Sequence, residues 1–246
     1  QKRKKIYSAT SLIGTMENSD KTKVPTIREV IQAPERHSNR LEEQRNDKKT
    51  LQQCSDAEIA RLKWKWKHIA DSIVKNTDPD SEFVIDHTNK HIIDGLFWWF
   101  FADPRSCYDL NKGILLKGDK GTGKTTIITA FRQFLIEMNQ GFAMTTAIKL
   151  SLEYAKTGDI DQWITYKIVC IDEIGREGMG KHYGNELNVI GYILHERYAL
   201  WKTNKYITIA TTNKDADEIE DMYGEVIRDR VKEMFNHIAM VGDSRR

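Results

Sequence analysis

The chain has 246 residues, with 38 Lys and Arg against 36 Asp and Glu, a formal net charge of +2. Its length accommodates one α/β domain of roughly 150–200 residues plus an appendage and argues against two full cores. The lack of any apolar run of about 18 residues excludes a transmembrane helix, and three unclustered cysteines, Cys54, Cys107 and Cys170, indicate neither a disulfide framework nor a zinc site.

In chain order, residues 1–55 come first, with 12 basic and 7 acidic groups, net +5, against 26 and 29, net −3, for residues 56–246. Only 14 of those 55 residues are apolar, and no helical or strand period runs through them. Such a stretch cannot bury enough surface to offset its ordering entropy, so a flexible basic arm is expected. The sharper alternative is an arm that orders on a partner or nucleic acid, with Arg36, His37, Arg40 and Arg45 suited to phosphates. Lys2, Arg3, Lys4 and Lys5 imitate the start of a signal peptide, but Ser, Thr and Gly break the stretch behind them, and a cytoplasmic protein is expected. Gln1 is not an initiator, so part of the natural N-terminus is expected to be missing.

Ser55-Asp56-Ala57-Glu58 has the form of a capping box. Behind it Ile59, Leu62, Trp66, Ile69 and Ile73 recur at helical spacing, with Arg61, Lys63, Lys65 and Lys67 off that stripe. Residues 56–80 are therefore expected to hold an amphipathic helix with a basic back that docks on the main domain or on a partner. The Lys-Trp-Lys-Trp-Lys alternation at 63–67 also suits single-strand binding by stacking and charge, against which Trp66 lies on the apolar stripe. A second helix is predicted over residues 89–102. From there residues 81–246 become a β-α-β alternation, with strands near 113–117, 141–146, 167–171 and 206–210 and a helix over 125–139. This pattern means a parallel sheet covered on both faces.

Gly118-Asp119-Lys120-Gly121-Thr122-Gly123-Lys124-Thr125, followed by Thr126, is a phosphate loop between a strand and a helix. Its glycines let backbone amides curl around phosphate oxygens, Lys124 reaches the β- and γ-phosphates, and Thr125 ligates Mg²⁺. Downstream, an apolar strand ends in Asp172 and Glu173. Strand C-termini of a parallel sheet share one crevice, which puts Asp172 in the metal shell and Glu173 where it orients or deprotonates an attacking water. A third strand ends in Thr211-Thr212-Asn213, and Asn213 is a candidate to hydrogen-bond both that water and the γ-phosphate. The cofactors read from these residues are a nucleotide and Mg²⁺, the nucleotide being ATP by the resemblance that follows.

The order of phosphate loop, Ile-Asp-Glu strand and Ala-Thr-Thr-Asn strand end resembles AAA+ ATPases. The runs at 112–118, 182–191, 223–231 and 242–246 resemble the DnaC/IstB-type group of helicase loaders and transposition helper ATPases. The resemblance spans roughly residues 83–246. It implies an α/β P-loop NTPase (AAA+) fold with a parallel sheet between helices, to which the composition and periodicity of the preceding residues add an N-terminal flexible and helical extension. By the same resemblance Asn213 is the sensor 1 residue and Arg230, with Arg228 as rival, is the arginine finger acting on a neighbouring subunit. Arg246, with Arg245 as rival, takes the sensor 2 place against the nucleotide. An arginine completing a neighbour's site implies a head-to-tail homo-oligomer whose ATPase is slow in the lone subunit and is stimulated by assembly and DNA. The implied partners are DNA, single-stranded in preference to duplex, and a replicative helicase gripped through the N-terminal region, with no membrane. Three other readings stay open: an IstB-like transposition helper on duplex DNA, a small-molecule phosphotransferase, and an adaptor that binds ATP without hydrolysing it.

Overall fold

The computed structural model describes residues 54–242, 244 and 245. The arm expected over residues 1–55 thus lies outside them except for its last two residues, and Arg246 lies outside them too.

Helix α1 runs over Asp56–Lys75 and starts in the capping box read from the sequence: Ser55 Oγ accepts from the Glu58 amide while the Glu58 carboxylate accepts from the Ser55 amide at 2.8 Å. A cap of this kind stabilises a helix by about 1 kcal/mol. The apolar stripe turns inward. Trp66 is fully buried, its ring 5.0–5.9 Å from those of Phe83, Phe97 and Phe131. The basic back is not an open cationic face, because Lys63 pairs with Asp94, Lys65 with Glu137 and Lys67 with Asp71. Trp64, one residue off the stripe, is 62% exposed and lies against the His68 ring.

Helix α2 (Lys90–Phe100) buries Ile92, Ile93, Leu96, Phe97 and Trp99. Strand β1 (Gly113–Gly118) leads through the phosphate loop into α3 (Lys124–Glu137). Then follow β2 (Ala143–Thr146), α4 (Ala147–Thr157), α5 (Asp161–Thr165) and β3 (Ile168–Ile174). A short hairpin, β4 (Gly180–His182) and β5 (Asn185–Leu187), precedes α6 (Val189–Asn204) and β6 (Ile207–Thr212). The described chain closes with α7 (Ala216–Tyr223), α8 (Glu225–Met234) and β7 (Phe235–Met240).

Five strands form one parallel sheet in the order β2-β3-β6-β1-β7. Side chains alternate across it, as strand geometry requires. Ile114, Leu116, Cys170 and Ile209 join one apolar layer with α1, α2 and α3. Leu115, Ile171 and Ala210 join another with residues of α4, α6, α7 and α8. This is the two-sided coverage predicted from the β-α alternation, and it makes the strands short apolar runs.

Two elements depart from the expectations. The glycine-rich stretch 176–182, which carries no strand pattern, contributes β4 to the hairpin, whose Tyr183 and Gly184 sit at φ +44° and +84°; two positive φ values are what a two-residue turn of matching twist needs. Strand β7 pairs with β1 at the sheet edge and was not expected, because its pattern Phe-Asn-His-Ile-Ala-Met is neither strictly alternating nor continuously apolar.

Candidate functional site

The strand order puts β6 between β1 and β3, so the phosphate loop, the end of β6 and the end of β3 converge on one crevice. A cavity of about 830 Å³ opens there, lined among others by Lys120, Gly121, Gly123, Lys124, Thr125, Thr126, Glu173 and Asn213. Most of the predicted site residues are thereby brought together.

The loop closes on itself through its polar groups. Gly121 and Gly123 take φ +94° and +92°, a region where a Cβ is disfavoured. A Cβ on Gly121 would also meet Ser244 Oγ at 2.3 Å. Lys124 is buried and its Nζ donates to the carbonyls of Gly118 at 2.6 Å and Asp119 at 2.8 Å, while Thr122 Oγ1 donates to Asp119 O at 2.9 Å. Helix α3 starts behind Gly123 with no acidic residue in its first turn. Its N-terminal amides and dipole end therefore suit an external anion.

Asp172 is the polar centre. It is 3% exposed and accepts from Thr125 Oγ1 at 3.0 and 3.1 Å and from Thr211 Oγ1 at 2.5 Å. Burial raises its pKa above the ordinary aspartate value; the hydrogen bonds from Thr211 and Thr125 oppose that, and the charge of Glu173 adds to it. One carboxylate, one hydroxyl and a substrate phosphate form the donor set that magnesium prefers, and Asp172 with Thr125 fits it. Among the described residues no group of three or more His, Cys, Asp or Glu side chains is placed to hold a metal ion.

Glu173 sits at an irregularity within β3. Its φ is +57°, the β3–β6 register shifts between Ile171 and Ile174, and its amide donates to Thr211 Oγ1 at 2.8 Å. A left-handed non-glycine residue is strained, and such strain is found at functional sites. Its carboxylate, meanwhile, is paired with Arg176 at 2.5 Å.

Three contributors were not assigned from sequence as such. Thr211 was passed over for Asn213 in the same run, although its place on the strand between β1 and β3 is what puts it on Asp172. No sequence motif marks Arg176. Arg245, held as a rival to Arg246, lines the cavity, donates its amide to Gly121 O at 3.0 Å and pairs with Asp86 at 2.8 Å. Arg230 is not among the residues lining this cavity. Its guanidinium lies 5.0 Å from the Tyr198 ring centroid and reaches His195 O. Arg228 is tied to Glu220 and Asp229.

A parallel sheet in this order, with a phosphate loop after β1 and a carboxylate pair at the end of β3, has the architecture of a P-loop NTPase of the AAA+ class. Among solved structures, the crystal structure of the DnaC helicase loader matches with a TM-score of 0.50 at 18% identity, covering 68% of this chain and 97% of that one. The fold is thus the AAA+ fold of the DnaC type. A primosome component from Streptococcus pyogenes (TM-score 0.49, 20% identity, 67% of this chain and 85% of that one) and DnaI (0.48, 20%, 68% and 89%) also match. No family model matches this sequence, and no curated protein matches it. Among the described residues no helix is long and apolar enough to cross a membrane.

Proposed function

We propose that this protein is an ATPase, converting ATP and water to ADP and phosphate, and that it works in DNA replication as a DnaC-like helicase loader. The observation that carries the ATPase reading is the Thr125–Asp172–Thr211 contact, which joins the phosphate loop, the carboxylate strand and the central strand in one buried polar unit. In this reading the loop amides and Lys124 bind the phosphates, and Thr125 and Asp172 hold Mg²⁺. When bound, the metal neutralises charge on the β- and γ-oxygens. Glu173 accepts a proton from, or orients, the attacking water, and Asn213 fixes that water against the γ-phosphate. Arg230 acts on a neighbouring subunit's nucleotide in a head-to-tail homo-oligomer. Its lack of a carboxylate partner among the described residues supports that role over Arg228, which is held by Glu220 and Asp229. Arg245, the rival to Arg246 for the sensor 2 place, lines the cavity and is the described residue that suits that role. The loader role rests on the resemblance in the loop, strand-end and closing motifs, with single-stranded DNA and a replicative helicase as partners and the N-terminal region as the grip.

The test is ATP turnover by the full chain with and without single-stranded DNA, and capture of a hexameric replicative helicase. Lys124→Ala is expected to abolish ATP binding, and Glu173→Gln to keep binding and lose turnover. ATP binding with no turnover in the wild type, and no effect of Glu173→Gln, would leave an adaptor; turnover only with a small-molecule acceptor would leave a phosphotransferase, and preference for duplex without helicase capture would leave a transposition helper.

A further inference from the structure

Glu173, Arg176 and the turn between them carry a contact that hydrolysis itself does not call for. The Glu173 backbone is pinned at φ +57° by its hydrogen bond to Thr211, so the direction in which its side chain leaves the strand is fixed. Its Oε1 accepts from Arg176 Nη1 at 2.5 Å. An oxygen committed to a guanidinium offers that lone pair to no water, whereas a general base must stand within hydrogen-bond reach of the proton it takes. Arg176 and Glu173 both line the nucleotide cavity.

The turn that carries Arg176 is itself anchored. The Gly175 amide donates to Glu177 Oε2 at 2.9 Å, and the other oxygen of Glu177 accepts from the Tyr223 hydroxyl. Tyr223 ends α7, and after Gly224 the chain enters α8, which bears Arg230. A continuous set of contacts therefore runs from the helix of the proposed finger to the carboxylate of the proposed base.

We propose that Arg176 is a positioning residue that restrains Glu173 in the lone subunit, and that the Glu177–Tyr223 latch holds this restraint until assembly moves α7 and α8. This rests on the ATPase reading of the same site. The pair is 43% and 34% exposed at its two side chains, and exposed ion pairs bias a population by at most about fivefold; the restraint is a brake, not a block.

The experiment measures nucleotide affinity with a fluorescent ATP analogue and basal and DNA-stimulated kcat and KM for the full chain. Arg176→Ala is expected to raise basal kcat by about 3- to 5-fold with affinity and KM unchanged and stimulated kcat little altered. Arg176→Lys, which keeps a cation in reach, is expected to restore the low basal rate, and adding Glu173→Gln to Arg176→Ala to remove the gain. Tyr223→Phe is expected to raise the basal rate in the same direction. A basal kcat that stays level or falls in Arg176→Ala with affinity intact overturns the restraint, and no rise in Tyr223→Phe overturns the latch. If the wild type itself shows no turnover in any condition, the ATPase reading falls and takes the restraint with it, which is a different result from a working enzyme indifferent to Arg176.

Discussion

Asp172 shows how one residue joins stability to chemistry. It sits at 3% exposure among hydroxyls, and burial raises its pKa. Because the folded value lies above the unfolded one, the associated stability is fully present below the ordinary aspartate pKa and is lost as pH rises through the raised value. At neutral pH the ionised group is a standing cost that its proposed magnesium would offset. Asp172→Asn is therefore expected to raise the melting temperature of the metal-free protein by about 2–4 °C, the shift about 1 kcal/mol gives at this size, while abolishing magnesium-dependent ATP binding; a calorimetric scan and a binding titration check both. In the wild type, magnesium-dependent binding should fall on acidification at a higher pH than an ordinary aspartate would give. At this scale the phosphate loop, Asp172 and Glu173 were legible because their chemistry is written in consecutive residues. Arg176 on Glu173 and Thr211 on Asp172 were not: the first depends on a strained turn, the second on which strand lies between two others.

A buried guanidinium holds the back of the sheet. Arg197 on α6 donates to Thr208 Oγ1 at 2.8 Å and to the carbonyls of Ile164, Tyr166 and Ile207 at 2.7–2.8 Å, and burial lowers its pKa to about 9. It stitches α5 and the start of β6 to α6. Arg197→Met is expected to destabilise by about 3–5 kcal/mol because several buried carbonyls lose their donor, and Arg197→Lys should not rescue it, since an ammonium cannot reproduce the fork; urea unfolding measures both. Nothing in the local pattern of α6 distinguished this arginine from a surface charge.

At the scale of elements, α1 illustrates both the power and the limit of periodicity. The stripe and the capping box gave the helix and its inner face, yet spacing alone left open whether that face meets the domain or a partner. Trp66 against Phe83, Phe97 and Phe131 decides for the domain. Its indole Nε1 is buried without a hydrogen-bond partner among the described residues, an unusual cost. Trp66→Ala is expected to destabilise by about 3–5 kcal/mol, whereas Trp66→Phe, which removes the orphaned donor along with some volume, should stay within about 1 kcal/mol; chemical denaturation separates the two. Strand β7 escaped notice because an edge strand with half-exposed polar positions carries neither a continuous apolar run nor a strict alternation.

For the whole molecule, the modest +2 charge is the sum of unlike parts: the described domain belongs to the acidic part of the chain, which holds the carboxylates of the site. The proposed finger makes activity a property of the assembly. Arg230→Ala is expected to leave ATP binding intact and to lower stimulated turnover by about 10³-fold or more. Mixing it with Lys124→Ala should regain turnover that neither variant has alone, since each then supplies what the other lacks across a head-to-tail interface. A mixture as inactive as its components would place the working arginine elsewhere.

The sequence by itself determined the fold class, the phosphate loop and the carboxylate pair, because strand-loop-helix chemistry depends on neighbours along the chain, and apolar periods of two and 3.6 report which face is buried. Only the tertiary structure decided which side chains meet across the sheet: Thr211 with Asp172, Arg245 with the loop, Arg176 with Glu173, and α1 with the core. Those contacts are fixed by strand order and by backbone turns at positive φ, and neither leaves a local mark in the order of the residues.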